Sequence, residues 1–169
     1  MTTRIDDRQH VGEREDDMTT IATVTPGVLP QATHSYLRRS AESLCEAMMA
    51  RDVASRYAHA HVAALRAAAA LLAARALPTP ARKRQRNAWV LLTRVAPELS
   101  EWASFFAAGA GKRAAAEAGS TRAVTEREAD DLVREADRFL AVVETTLGLF
   151  PHVPFEERLA DTGVVHGAG

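Results

Sequence analysis

Apolar side chains recur every three or four positions in several separate stretches of this sequence, a spacing that lines one face of an α-helix. The clearest stretch lies between Thr125 and Gly148. Thr125 and Glu128 have the spacing of a capping box at the start of a helix, and glycine is a common residue just past a helix end. The apolar members are Ala129, Leu132, Val133, Ala136, Phe139, Leu140, Val143 and Leu147.

Two earlier segments have similar periodicity. The first covers residues 33–49. The second has Asp52 as a predicted N-cap and ends near residue 76, before Pro78 and Pro80, which cannot continue a helix. Its apolar side chains gather on one side and its basic side chains on the other, so we expect an amphipathic helix with one exposed face.

A third segment follows the two prolines and is divided at Pro97, which is expected in the first turn of a new helix. Trp89, Trp102, Phe105 and Phe106 lie in this region at helical spacing, and we assign them to the core. Gly109 and Gly111 are expected to loosen the chain before a short helical continuation that ends at Gly119.

These segments predict an all-α fold, an antiparallel up-down bundle of four to five helices over residues 32–148. An aromatic content of only 5% suits alanine-rich helix packing and not a sheet. We expect residues 1–31 to form a disordered acidic tail and residues 149–169 a flexible C-terminal tail. Met18 is an alternative start of translation.

The single cysteine, Cys45, allows no intramolecular disulfide and favours a reducing compartment. With Met48 it is expected to be a buried residue of the first helix. No apolar run approaches the roughly 18 residues that span a bilayer, and the N-terminus lacks the apolar segment of a signal peptide. We therefore predict a cytoplasmic protein with no membrane association.

The near-zero net charge of −1 hides an uneven distribution. Residues 36–124 carry fourteen basic and six acidic side chains, whereas residues 125–169 carry four basic and ten acidic ones. A basic centre attracts phosphate. The alternative is that the acidic last helix packs beside the basic helices and neutralises them.

Three stretches resemble one known family: RYAHAHVAALRAAAALLAARALP, RNAWVLLTRVAPELSEWASFFAAGAGKRAAAEAG and TEREADDLVREADRFLAVVETTLG. Over residues 36–148 the sequence is similar to an actinobacterial family of HEPN (higher eukaryote and prokaryote nucleotide-binding) proteins. The resemblance implies a helical bundle that often dimerises. Many members are metal-independent ribonucleases or partners of nucleotidyltransferases in toxin–antitoxin systems, and others are binding modules without catalysis.

The resemblance also implies candidate catalytic residues, because catalytic members use an arginine and a histidine spaced Arg-x(4–6)-His. Arg56 and His61 match this spacing. The histidine would move a proton during attack of a ribose 2′-OH on the phosphate, and the arginine would hold the developing charge. Five positions on a regular helix leave two side chains about 140° apart, so the two converge only at a helix end or across two subunits. The alternative is that His61 is a core residue.

A basic surface is the second candidate site, for nucleic acid or nucleotides. Positive charge near a helix N-terminus gains nothing from the helix dipole, which favours a ligand for the run that starts the third segment. The alternatives are a solvated loop, or pairing with the acidic side chains of the last helix. The candidate binding residues are His59, Arg66, Arg75, Arg82, Lys83, Arg84 and Arg86.

Motifs for zinc, di-iron and P-loop sites are absent from the sequence, so we predict no metal and no cofactor. Three functions stay open: an RNA- or nucleotide-binding module that is not clearly catalytic, a non-enzymatic helical adaptor that forms a homodimer or binds a protein partner, and a metal-independent ribonuclease that uses Arg56 and His61.

Overall fold

The computed structural model describes residues 28–75 and 88–163, which form α-helices and one short 3₁₀ helix, with no strand in these two ranges. The 3₁₀ helix is Pro97–Leu99. We number the α-helices in chain order: α1 Gln31–Met49, α2 Val53–Arg75, α3 Ala88–Val95, α4 Ser100–Glu117, α5 Glu126–Thr146 and α6 Phe155–Gly163. The predicted all-α bundle is confirmed.

Helices α1 and α2 pack antiparallel through small side chains. The Ser40 hydroxyl donates to the Ala63 carbonyl at 2.8 Å, and the Thr33 hydroxyl donates to the Ala70 carbonyl at 3.3 Å. From one hydrogen bond to the other, the residue number falls by seven in α1 and rises by seven in α2, as antiparallel packing requires. Alanine leaves the α2 surface flat enough for the hydroxyls of α1 to reach its backbone.

Helix α2 is the central helix of the bundle, in contact with α1, α3, α4 and α5. No residue from position 53 to position 74 is exposed. The expectation of an amphipathic helix with one free face is therefore wrong. The polar side of α2 faces α1 and the start of α5, whose polar groups accept hydrogen bonds from its basic side chains.

The aromatic side chains form one cluster beside α2. Phe106 and Phe139 are fully buried, with ring centroids 5.2 Å apart. Trp89 and Trp102 are partly buried and stack on Phe106. Phe105 is 48% exposed, so its assignment to the core is wrong, because the next position along α4, Phe106, is the one that points into the bundle.

The helix ends follow the sequence closely because they depend on local chemistry. Asp52 accepts a hydrogen bond from the Ser55 backbone N–H at 2.7 Å and caps α2. Thr125 and Glu128 form the predicted capping box of α5. Gly148 has a positive φ of 74°, and the Leu149 N–H reaches the Glu144 carbonyl at 2.9 Å, which closes α5 in a Schellman turn.

Two expectations differ from the structure. Helix α4 continues through Gly109 and Gly111 without a break, because its packing on α2 outweighs the low helix propensity of glycine. Cys45 is exposed, and Met48 is 55% exposed, because both side chains lie outside the buried face of α1. Part of the expected C-terminal tail, Phe155–Gly163, forms α6.

Residues 1–27, which hold most of the predicted acidic tail, lie outside the described residues. None of the helices described above is both long enough and apolar enough to cross a bilayer.

Candidate functional site

His61 lies inside the bundle, where α2 faces α3 and α4, and is only 1% exposed. Its Nε2 lies 2.8 Å from the Phe106 carbonyl oxygen. Because a carbonyl only accepts, Nε2 carries the hydrogen and the Nδ1 of the neutral ring is an acceptor. Nδ1 is buried and has no hydrogen-bond partner among the described residues. The ring lies nearly perpendicular to the rings of Trp89 and Phe106, at centroid distances of 6.0 and 6.3 Å.

The surroundings keep this imidazole neutral. Burial is the main cause that lowers the pKa of His61 below its usual value, because a charged ring would lose its hydration. The hydrogen bond to the Phe106 carbonyl acts in the opposite direction, and the nearby Arg113 guanidinium lowers the pKa further. The interpretation of His61 as a core histidine fits this environment.

Arg56 lies in the first turns of α2 and points to α5. Its guanidinium donates to an Asp130 oxygen at 2.5 Å and lies 3.9 Å from a Glu126 oxygen. It also donates to the Ala50 carbonyl at 3.3 Å. The Arg56 side chain is 19% exposed. The Arg56–Asp130 pair links the start of α2 to the start of α5.

The structure therefore does not bring Arg56 and His61 together. Arg56 contacts the loop before α2 and the first turns of α5, whereas His61 contacts α3 and the middle of α4. The helix-end convergence considered for this pair does not occur, because the regular α2 helix begins at Val53, before both residues.

Two of the predicted basic-surface residues contact α1. The His59 Nδ1 lies 3.1 Å from a Glu46 carboxylate oxygen. The Arg66 guanidinium donates to the Arg39 carbonyl at 2.9 Å and to the Ser43 hydroxyl at 2.5 Å. These side chains lie across the α1–α2 interface.

Arg75, at the end of α2, donates to a Glu98 carboxylate oxygen at 2.6 Å. This hydrogen bond is the main cause that lowers the pKa of Glu98. The other predicted binding residues lie outside the described residues, in the segment between α2 and α3: Arg82, Lys83, Arg84 and Arg86.

The structure has a cleft between α4 and α5, beside α2, that was not predicted from the sequence. Its volume is about 330 Å³, and it is lined by Tyr57, Phe105, Gly109, Lys112 and Glu128 among others. The Tyr57 hydroxyl donates to the Gly109 carbonyl at 3.4 Å. A Cβ at position 109 would lie only 2.7 Å from the Tyr57 hydroxyl oxygen, too close for van der Waals contact.

Charge in the cleft is largely balanced by an ion pair between Lys112 and Glu128. Hydrogen bonds from Lys112 and from Thr125 lower the pKa of Glu128 to about 2. The hydrogen bond to Glu128 raises the pKa of Lys112, and burial raises the pKa of Tyr57. The phenol thus stays a neutral donor at the bottom of the cleft.

Comparison with known families decides where the chain belongs. The model of the SAV_6107-like HEPN family matches residues 47–144, more than half of the chain. This chain belongs to the HEPN family. No curated protein and no solved structure matches it. The HEPN match runs from the end of α1 to the last turn of α5, so it includes Arg56, His61 and the basic run, whereas α6 follows it.

The HEPN bundle contains no metal site among residues 28–75 and 88–163, where no three His, Cys, Asp or Glu side chains are arranged to hold an ion. Two features of the HEPN chain were not predicted from the sequence. One sequence feature could have indicated the cleft, a glycine within a helical segment. A histidine between two carboxylates, His152, had none, because it follows the last predicted helix.

Proposed function

We propose that this HEPN chain is a binding module that does not cleave RNA, and that it holds the phosphate backbone of RNA through the basic run (Arg82, Lys83, Arg84 and Arg86). One observation supports this most. No acidic residue occurs between Asp52 and Glu98, and this stretch carries eight arginine and lysine side chains. A run of like charge that is dense and unmixed attracts a polyanion.

In the described part of the same stretch, three arginines contact other parts of the fold. Arg56 is paired with Asp130, Arg66 donates to α1, and Arg75 is paired with Glu98. Those three arginines hold helices together. The four cations of the basic run, which are consecutive apart from Gln85, are the densest positive charge in the sequence.

Two observations argue against cleavage. A general base must reach the 2′-OH within hydrogen-bond distance, whereas both ring nitrogens of His61 are enclosed by protein. The Arg56 guanidinium is already paired with a carboxylate, and so it is not positioned to stabilise a phosphoryl oxygen near His61. In this account both residues stabilise the fold.

Binding to RNA phosphates has a salt signature, because each neutralised phosphate releases counterions. For a single strand, the logarithm of the affinity falls with the logarithm of salt concentration by about 0.7 per neutralised phosphate. Removal of three cations from the basic run is thus expected to reduce the slope by about 2. The affinity itself is expected to fall at least tenfold at about 50 mM salt.

The experiment compares two triple variants of equal charge in binding to a fluorescent single-stranded RNA, between about 50 and about 200 mM salt. R82A/R84A/R86A removes three of the four cations of the basic run and leaves Lys83. R39A/R122A/R127A removes three exposed arginines elsewhere and is expected to bind as the wild type does. Equally weakened binding in both variants would contradict the proposal.

A lack of wild-type binding at about 50 mM salt would also contradict it. That result would favour the non-enzymatic adaptor, for which the exposed Met48 and Met49 at the end of α1 are the supporting observation.

A further inference from the structure

His152 lies between two carboxylates of α5. Its Nε2 is 2.9 Å from an Asp137 oxygen, and its Nδ1 is 2.9 Å from a Glu144 oxygen. The His152 backbone N–H donates to the same Glu144 oxygen at 2.8 Å. The Phe155 backbone N–H donates to the second Asp137 oxygen at 2.8 Å. We call His152, Asp137 and Glu144 the His152 clamp.

The clamp requires positive charge at its centre. The Asp137 side chain is 10% exposed and the Glu144 side chain 18%. Two carboxylates in such a place repel one another unless a cation separates them. Only the protonated imidazole supplies an N–H donor to each of them, because the neutral ring has one donor and one acceptor. A neutral His152 would turn a lone pair toward one carboxylate.

The charges around the imidazole agree with this. The hydrogen bond to Asp137 is the main cause that raises the pKa of His152; partial burial opposes it, and the hydrogen bond to Glu144 adds to it. The other charged groups near the clamp pair with one another. Arg134 lies 3.0 Å and Arg138 2.5 Å from the carboxylate oxygens of Glu156, at the start of α6.

The clamp holds the segment that leads into α6. Of the side-chain types in this group, histidine is the one that ordinarily changes charge near neutral pH. Phe155, just after the clamp, packs against the core and begins α6. We propose that His152 is a proton-dependent latch: its charged imidazole holds residues 149–163 on α5, and loss of the proton releases them. The latch does not depend on RNA binding.

The direction of the pH effect follows from the raised pKa of His152. Below about pH 6.5 the imidazole is charged in both the held and the released segment, and the full stabilisation is present. As pH rises from about 6.5 through the raised pKa, the proton stays only while the segment is held. The released fraction then increases by up to about tenfold per pH unit.

The test is hydrogen–deuterium exchange of the full-length protein from about pH 6 to about pH 9, corrected for the intrinsic exchange rate at each pH. We expect protection of peptides from residues 149–163 to fall across this range, whereas protection of α1 does not change. Constant protection in the segment would overturn the proposal, and so would an equal fall in α1, which would indicate global unfolding.

Three variants separate charge from shape. His152→Gln is expected to show low, pH-independent protection in residues 149–163, and His152→Lys, which keeps a positive charge, pH-independent protection above that of the glutamine variant. His59→Gln, at a histidine paired with Glu46, should behave as the wild type. A glutamine variant with the wild-type pH profile would overturn the latch.

The wild type provides a readout that needs no folded clamp variant. NMR titration of the His152 ring is expected to give a pKa above 6.5, which moves toward 6.5 in Glu144→Gln. A ring that titrates at or below 6.5 would contradict the proposal.

Discussion

Single atoms decide how closely the helices approach one another. Gly109 lies where α4 passes the Tyr57 hydroxyl, and a Cβ at this position would be 2.7 Å from that oxygen and 3.4 Å from the His61 ring. Gly111, two residues later in the same helix, has no atom of another part of the chain within 4 Å of its Cβ position. Two glycines with the same helical propensity therefore have different roles.

This pair gives a matched prediction for stability. Gly111→Ala is expected to raise the free energy of unfolding by about 0.5–1 kcal/mol, the usual gain in a helix. Gly109→Ala is expected to lower it, because the displaced Tyr57 ring costs about 1–3 kcal/mol. Urea denaturation measures both.

The clash itself is tested by removing the hydroxyl. In a Tyr57→Phe background, Gly109→Ala is expected to lose most of its cost. If Gly109→Ala stabilises the protein as Gly111→Ala does, the close approach of α4 to α2 is wrong.

The elements differ in how far sequence determines them. The start of α2 and both ends of α5 were predictable because Asp52, Thr125 and Gly148 act on backbone groups within a few residues. The central position of α2 was not. The basic side chains of α2 have the spacing typical of an exposed face. Their partial burial is explained by contacts that the sequence does not show, those of Arg56 and Arg66 with neighbouring helices.

Helix α6 was unpredictable for a related reason. His152 and Glu156 connect this part of the chain to α5. The paired residues are eight or more positions apart in the sequence, so no local periodicity reveals them. The small residues at the α1–α2 interface, in contrast, were visible in the sequence as an excess of alanine, although their partners were not.

The α1–α2 interface yields a prediction about packing. Ala63 is fully buried beneath Ser40, so Ala63→Leu is expected to lower the free energy of unfolding by about 1–3 kcal/mol through overpacking. Ala41→Leu, at an exposed position of α1, is expected to change it by no more than about 0.5 kcal/mol. Thermal denaturation of the two variants checks this; similar effects would mean that α1 does not pack on α2 at Ala63.

At the scale of the whole molecule, the fold and the HEPN family were within reach of the sequence, whereas the candidate site was only partly so. The Arg-x4-His spacing of Arg56 and His61 is visible in the sequence, but their directions depend on which helices surround α2. The structure separates them, with His61 in the aromatic core and Arg56 against Asp130. We therefore propose that this pair stabilises the bundle and that the protein acts by binding.

An RNA cleavage assay without metal tests that claim most directly. A labelled single-stranded RNA is incubated in EDTA with enough wild-type protein to saturate binding, and its length is followed on a denaturing gel. We expect the RNA to stay full length. Cleavage by the wild type that disappears in Arg56→Ala and in His61→Ala, with both variants still helical by circular dichroism, would contradict it.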